Sequence, residues 1–504
     1  MKHILFKEEI MSVQFVTALI HFPNEDRSKD KSMHRYFQLF NTLASTGIPI
    51  HAFLSPEFSN TCLQNHPNVK YEFIELKDMT TYHIINSLTT PPRLLPRIRT
   101  EYHDTKSFLT CINSKVEFVE LAINKYPDAT HFAWIDFGIC HVFRDIDNTL
   151  MYIKMLSQSK LRTPCIAVPG CWSLQAEQKW RHDEQINWRF CGGFLIGDRS
   201  SLIDFSTRHR EALTKQACTL TWEVNVWAYL ESLGWNSGWY KADHNDSIIT
   251  NLPVHHFARS VSLTTIPSRR LDLKLAIDSL LPQVDHVYVT IPDAYVASFS
   301  NIADVVNAVD GVDVPSFLVH DEPYKSKVII VRGADRGPAS KYLGALTYIC
   351  DKNEWIFFCD DDQEYANGLI DRMLSRVTRL AVYQNRSKQI TIDTSGGLIH
   401  GFVGCMIHSS LLKDLQAFPL PDAAYAVDDQ WMSIYCFLNN IDILPTFIEF
   451  YSHIFKVTCN GHEKIGIDSL ATRSNRNVKV QEIAAYFGVA FIANGKICLL
   501  KNSK

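Results

Sequence analysis

Several things are scarce in this chain of 504 residues. Its 13 cysteines form an odd set without a CxxC pair, and some, such as Cys359 and Cys405, lie inside apolar runs. That usage fits buried reduced thiols in a reducing compartment rather than a disulfide framework. No apolar run approaches the roughly 20 residues of a membrane-spanning helix. The opening Met1–Ile10 holds neither an uninterrupted apolar core nor a small-residue cleavage site. The expectation is a soluble, cytoplasmic protein, with attachment to a membrane face through a partner left open. Excess charge is also missing. A net charge of −4 gives no reason to propose nucleic acid or an anionic membrane as partner. There is no low-complexity tract and no short-period repeat.

What is present is ordinary globular composition, 46% hydrophobic and 21% charged, over a length that calls for two or three domains. The chain opens as strand, helix, strand: Val13–Ile20, Met33–Ser45 and Ile48–Leu54, a βαβ pattern. An amphipathic helix from His103-Asp104-Thr105-Lys106 to about Asn124 carries Lys115. It leads to His131-Phe-Ala-Trp-Ile-Asp136, an apolar strand ending in one acid. A polar segment, Asp243–His256, carries Pro253 and places a boundary between domains 1–252 and 253–504. Strand and helix then begin again at Phe257–Thr265 and Arg269–Leu281.

The richest stretch is Trp355-Ile-Phe-Phe-Cys-Asp360-Asp361-Asp362. Its apolar run reads as a strand buried on both faces, and ligands in open α/β sheets sit beyond the carboxyl ends of such strands. Three acids there repel one another and lose hydration unless a cation lies among them. Hard carboxylate oxygens suit Mg²⁺ or Mn²⁺, with phosphate oxygens completing the shell. A solvated acidic turn is the bland alternative.

The two halves share an order of stations. Each has a first strand carrying threonine (Thr17; Thr264) and an Asp and Lys leading into a helix (Asp104 and Lys106; Asp335 and Lys341). Each then has an acid-ended strand (Asp136; Asp360–Asp362), paired glycines (Gly192 and Gly193; Gly396 and Gly397) and an acid beside Trp opening a helix (Glu223; Asp428 and Asp429). Each closes on a late histidine (His255 or His256; His453 or His462). Two copies of one architecture are expected. Arg269, Arg270, Arg336 and Lys341 are candidates to neutralise a diphosphate, with surface bases as the alternative. The segment Gly337-Pro338 could present amides to phosphate at a helix start. Paired glycines permit close approach of a ligand or merely a bulge. Asp428, Asp429 and Glu223 suit general bases on an acceptor hydroxyl, or helix caps. A late histidine could join the metal shell.

On Thr264-Thr-Ile-Pro-Ser-Arg269, Asp335-Arg-Gly-Pro-Ala-Ser-Lys341, Asp360-Asp-Asp362 and Asp428-Asp-Gln-Trp431, the second half resembles DDD-motif, family-2-like GT-A glycosyltransferases. The first half looks like bacterial HtrL/YibB-type glycosyltransferases, on Phe15-Val-Thr-Ala18, Asp104-Thr-Lys106, Lys115 and Trp134-Ile-Asp-Phe-Gly138. The resemblance implies an α/β protein of two tandem GT-A domains, Rossmann-like with mixed central sheets. It implies a nucleotide-sugar donor of UDP or GDP type and a glycan, glycolipid or glycoprotein acceptor. Donor binding would fall to Thr264, Arg269, Asp335, Lys341, Asp360, Asp361, Gly396 and Gly397, and to Thr17, Asp104, Lys106 and Asp136 in the first half. A divalent cation, Mn²⁺ or Mg²⁺, would be held by Asp360, Asp362 and His453, and by Asp136 in the first half. Asp429 or Asp428, and Glu223, would be the bases. The first half departs from the acid-rich pattern, since Phe137 and Gly138 follow Asp136. A bifunctional glycosyltransferase is the leading expectation. The rivals are one active C-terminal domain with an N-terminal binding or scaffold module, and a metal-dependent phosphohydrolase.

Overall fold

The computed structural model describes residues 13–22, 32–60, 65–87, 93–94, 104–177, 185–215, 219–266, 269–293, 314–384, 398–399, 404–446, 448, 455–457, 475–492 and 496–499. The chain divides into two compact units, Met1–His256 and Phe257–Lys504. Both are α/β, with a mixed central sheet of Rossmann-like type flanked by helices.

In the first unit the six sheet strands, in chain order, are Val13–Leu19, Ile50–Leu54, Val69–Phe73, His131–Ile135, Ile166–Ala167 and Phe194–Asp198. Across the sheet they run third, second, first, fourth, sixth, fifth. The first four are mutually parallel, and the sixth runs antiparallel to both its neighbours. The second unit uses Arg259–Thr264, His286–Thr290, Val328–Val331, Trp355–Phe358, Val382–Gln384, Cys405–His408 and Ile443–Pro445. The order is the same, with the seventh strand added outside the fifth. The strand senses match too. The two units therefore repeat one topology.

The shared order has a functional consequence. The chain builds away from the first strand in one direction, then crosses over and lays the fourth strand on its other side. Between the first and fourth strands the connections part, leaving a crevice at their carboxyl ends where α/β sheets place ligands. The fourth strands, His131–Ile135 and Trp355–Phe358, are buried at every position because helices cover both faces. In the first unit Phe118, Val119, Ala122 and Ile123 of the helix Lys115–Lys125 pack with Phe132 and Trp134. In the second, Ile356 and Phe358 join Tyr342, Trp431 and Tyr435.

Two expected elements differ. The helix predicted to run unbroken to about Asn124 is two, Lys106–Asn113 and Lys115–Lys125, divided at Ser114. The Ser114 hydroxyl donates back to Thr110 O at 2.9 Å, a bond that bends helices. Asn113 Nδ2 donates to Leu109 O and to Thr221 O, both at 2.7 Å, tying this joint to the segment before Glu223. In the second unit the sixth strand begins at Cys405, directly after Gly404, whose φ is +77°. Gly396 and Gly397 lie outside the described residues. Among the described residues, no helix is long and apolar enough to cross a membrane.

Each unit also buries a neutral histidine. Burial, with Arg210 adding, lowers the pKa of His209 to about 3. Both its ring nitrogens are buried without a hydrogen-bond partner among the described residues. Burial likewise lowers His408 to about 3, against the hydrogen bond that its Nε2 donates to Asn353 O. The unfolded state takes up these protons near pH 6.5 while the folded state resists until about pH 3. Their contribution is therefore complete above pH 6.5 and is lost as pH falls, by about 1.4 kcal/mol per pH unit per histidine. Urea unfolding between pH 7 and 4.5 should show this slope, and His209→Leu should flatten the first unit's share. An unchanged slope in that variant would discard the assignment.

Candidate functional site

At the carboxyl end of each fourth strand an acid meets a buried lysine. In the first unit Lys115 Nζ lies 3.0 Å from Asp136 Oδ1 and 2.9 Å from Glu223 Oε1, and it donates to Gly192 O at 2.8 Å. In the second, Lys341 Nζ lies 2.8 Å from Asp360 Oδ1 and 3.1 Å from Asp428 Oδ2. Lysine from a helix ahead of the fourth strand, acid from the end of that strand and acid from a helix later than the sixth form the same triad twice. The sequence pairing of Lys106 with Lys341 is thus corrected: the counterpart is Lys115. Lys106 is exposed and donates to Asn86 Oδ1 at 2.6 Å. Nine residues on a helix turn about 180° net, so Lys106 and Lys115 would take opposite faces even of a straight helix.

Burial works against both ammonium groups. Asp360 and Asp428 outweigh it at Lys341, and Asp136 and Glu223 at Lys115, so both pKa values rise above the ordinary lysine range. Glu223, 2% exposed, is pushed up mainly by burial, with Asp136 adding and Lys115 opposing. Its Oε2 is buried without a hydrogen-bond partner among the described residues. A side chain at Gly192 would put Cβ 2.1 Å from Glu223 Oε1, so glycine is what admits that carboxylate. Asp136 is the open member. It also accepts from Trp134 Nε1 at 2.7 Å, and no further acid follows it. The cation between Asp136 and Glu223 is Lys115, and a metal role for Asp136 gains no further acid ligand from the described residues.

The second unit adds a second layer. Arg269 Nη1 donates to Asp361 Oδ1 at 2.9 Å and lies 3.3 Å from Asp362 Oδ2. Arg476 Nη2 lies 3.8 Å from Asp429 Oδ2 and 3.4 Å from Gln430 Oε1. Burial would raise Asp360, but Lys341 and then Arg269 hold its pKa below the usual value. Asp361 is raised by burial despite Arg269, and its Oδ2 is buried without a hydrogen-bond partner among the described residues. Burial, with Asp361 and Asp360 beside it, pushes Asp362 up to about 6 against Arg269. Among the described residues, five carboxylates (Asp360, Asp361, Asp362, Asp428 and Asp429) thus face three cationic side chains, Lys341, Arg269 and Arg476.

Other expected ligand residues have structural duties. Thr17 is fully buried in its strand, its hydroxyl without a hydrogen-bond partner among the described residues. Thr264 Oγ1 donates to Thr290 O at 2.9 Å and joins two strands. Asp104 Oδ1 accepts from Trp222 Nε1 at 2.9 Å, and Asp335 Oδ2 accepts from Tyr425 OH at 2.9 Å. Both aromatics stand just ahead of the acid-bearing helices Glu223–Ser232 and Asp428–Leu438, so both aspartates position those helices. The helix after Gly337-Pro338 is one turn, Ser340–Leu343, too short to offer a helix N-terminal anion site. Arg336 is exposed. His255 and His256 lie at the opposite end of the first unit's sheet, where His256 Nδ1 is 3.4 Å from Cys165 Sγ. His453 and His462, like Gly396 and Gly397, lie outside the described residues. Arg476 was missed because it stands alone in a polar stretch with no pattern around it.

Comparison with known proteins adds little at this distance. No protein-family model matches the chain, and no curated protein matches it. Among solved structures, it is similar to a glycosyltransferase involved in the glycosylation of the major capsid of PBCV-1. The identity is 15%, over 46% of this chain and 81% of that one, with a TM-score of 0.25. It is also similar to 4-diphosphocytidyl-2C-methyl-D-erythritol synthase from Anaerococcus prevotii, at 13% identity over 44% and 98% of the respective chains, TM-score 0.25.

Proposed function

We propose that this chain is a bifunctional glycosyltransferase that moves sugars from nucleotide-sugar donors to hydroxyls of a glycan or glycoconjugate, with the second unit using Mn²⁺ or Mg²⁺. The observation that carries the reading is the second unit's crevice, where, among the described residues, five carboxylates outnumber three cationic groups by two charges. One divalent ion cancels that excess. The donor set fits it: hard carboxylate oxygens, one of them a buried Asp361 oxygen without a hydrogen-bond partner among the described residues. Magnesium commonly takes one or two carboxylates plus substrate phosphates, which suits an ion arriving with a diphosphate. Asp360 and Asp362 would hold it, and when bound it supplies Lewis-acid stabilisation of the departing nucleoside diphosphate.

The chain's own residues take the remaining roles. Lys341 keeps Asp360 ionised and anchors Asp428. Arg269 offers positive charge to the diphosphate. Asp429, beside Arg476, takes the proton of the acceptor hydroxyl. In-line attack by that hydroxyl inverts the anomeric carbon. In the first unit Lys115 supplies fixed positive charge without a metal, and Glu223 is the base. A second reading, favoured by the lack of an acid after Asp136, makes that unit a binding module. Full activity of an Asp136→Asn, Glu223→Gln double variant on the natural acceptor would select it.

Thermal unfolding of the full chain with a panel of nucleoside diphosphates and nucleotide sugars, with and without Mn²⁺, tests the main reading. A ligand at ~100 times its Kd should stabilise by about 2.7 kcal/mol. The shift should need metal, and Asp362→Ala should abolish it. No response to any nucleotide, or release of free phosphate in place of nucleoside diphosphate, would reject transfer in favour of hydrolysis or binding.

A further inference from the structure

The first unit holds a second cluster that the proposed chemistry does not use. Cys171 Sγ and Cys191 Sγ are 3.4 Å apart, and a ring nitrogen of His244 joins them, all three ligand atoms lying within 4.8 Å of one another. Asp243 Oδ1 is 3.7 Å from Cys171 Sγ. The residues are 20 and 53 positions apart in the chain, so only the fold assembles them. Backbone pairing does so: Tyr240 and Lys241 pair with Pro169 and Gly170, Cys191 N donates to Pro169 O at 2.8 Å, and Cys171 N donates to Trp188 O at 3.0 Å. The His244 ring rests edge-on against Trp188, centroids 4.6 Å apart. Cys191 is buried, Cys171 half-buried and His244 exposed, so the cluster opens to solvent on one side.

We propose that Cys171, Cys191 and His244 bind a zinc ion, with the fourth position on the side open to solvent. Two thiolates on tetrahedral zinc, with Zn–S near ~2.3 Å, stand about 3.8 Å apart, close to the separation seen. A disulfide brings its sulfurs to about 2.05 Å. Two thiolates and an imidazole are borderline-soft ligands of the kind zinc selects. The thiols are already unequal. Cys171 is held well below the usual thiol range by the Cys191 S–H, with His244 helping, while Cys191 is raised. Binding the ion releases the Cys191 proton and leaves His244 neutral. Cys191 directly precedes Gly192, whose carbonyl accepts from Lys115. The ion would therefore pin together the segments that wall the Lys115 triad, a structural role that stands whether or not that triad transfers sugar.

The test is metal analysis of the full chain, purified without chelator and then loaded with Zn²⁺ and desalted. About one equivalent of zinc per chain is expected, falling to background in Cys171→Ser and Cys191→Ser and by several-fold in His244→Ala. If a variant fails to fold, the wild-type chain still decides: exchange into Co²⁺ should give thiolate-to-cobalt charge-transfer absorption. Wild-type protein that takes up neither ion overturns the proposal, as does zinc content unchanged in both cysteine variants. Recovery of Cys171 and Cys191 as a disulfide-linked peptide from Zn²⁺-loaded protein also overturns it and marks the pair as a redox couple.

Discussion

Replacing Lys341 with methionine should destabilise the second unit by about 3–5 kcal/mol, the usual cost of breaking a buried ion pair from one side. Lys341 is only 2% exposed and stands between Asp360 and Asp428. Methionine matches its length but leaves two carboxylates with no countercharge between them. Burial, rather than salt, sets this penalty, so added salt should restore little of it. Urea unfolding measures the loss. Adding Asp360→Asn and Asp428→Asn to Lys341→Met should recover much of the stability, because the three groups are then neutral together, while donor binding stays lost. Lys115→Met should repeat the first result in the first unit, where Asp136 and Glu223 flank the ammonium. A Lys341→Met chain as stable as the parent would show that the triad is not the closed charge network described.

Asp429→Asn should lower the turnover of sugar transfer about 10²–10⁴-fold, the range for removing a general base. Its neighbour Asp428 is anchored by Lys341, whereas Asp429 faces Arg476 across 3.8 Å. The two acids therefore differ in kind. Asp429→Asn should reduce kcat with KM and the unfolding midpoint nearly unchanged. Asp428→Asn should also lower stability, since it leaves part of the Lys341 charge unpaired. Steady-state kinetics beside thermal unfolding separate the two. Equal loss of turnover and stability in both variants would remove Asp429 from the role of base.

Much of the local architecture was legible in the amino-acid sequence. The runs Phe132–Ile135 and Trp355–Phe358 announce buried strands because every residue is apolar, and the acids that follow mark their carboxyl ends. Glu223 and Asp428 at helix starts were visible from the polar-to-apolar switch that follows them. The surroundings of Thr17 and Asp104, and the choice of Lys115 over Lys106 as the counterpart of Lys341, were not legible. A threonine in a strand gives no sign of which face it takes, and an acid before a helix reads alike whether it meets a ligand or, as Asp104 does, a tryptophan.

By itself the sequence determined that this protein has two α/β halves with matching stations and an acid-rich strand end in the second. These follow from periodicity and residue type, which act over a few positions of chain. Only the tertiary structure decided which residues share a site. Strand order set the fourth strand beside the first, packing of the helix Lys115–Lys125 on that strand set Lys115 beside Asp136, and backbone pairing of Tyr240 with Pro169 carried His244 to Cys171 and Cys191. Such meetings depend on crossover and packing across tens to hundreds of residues, where no local pattern records the partner.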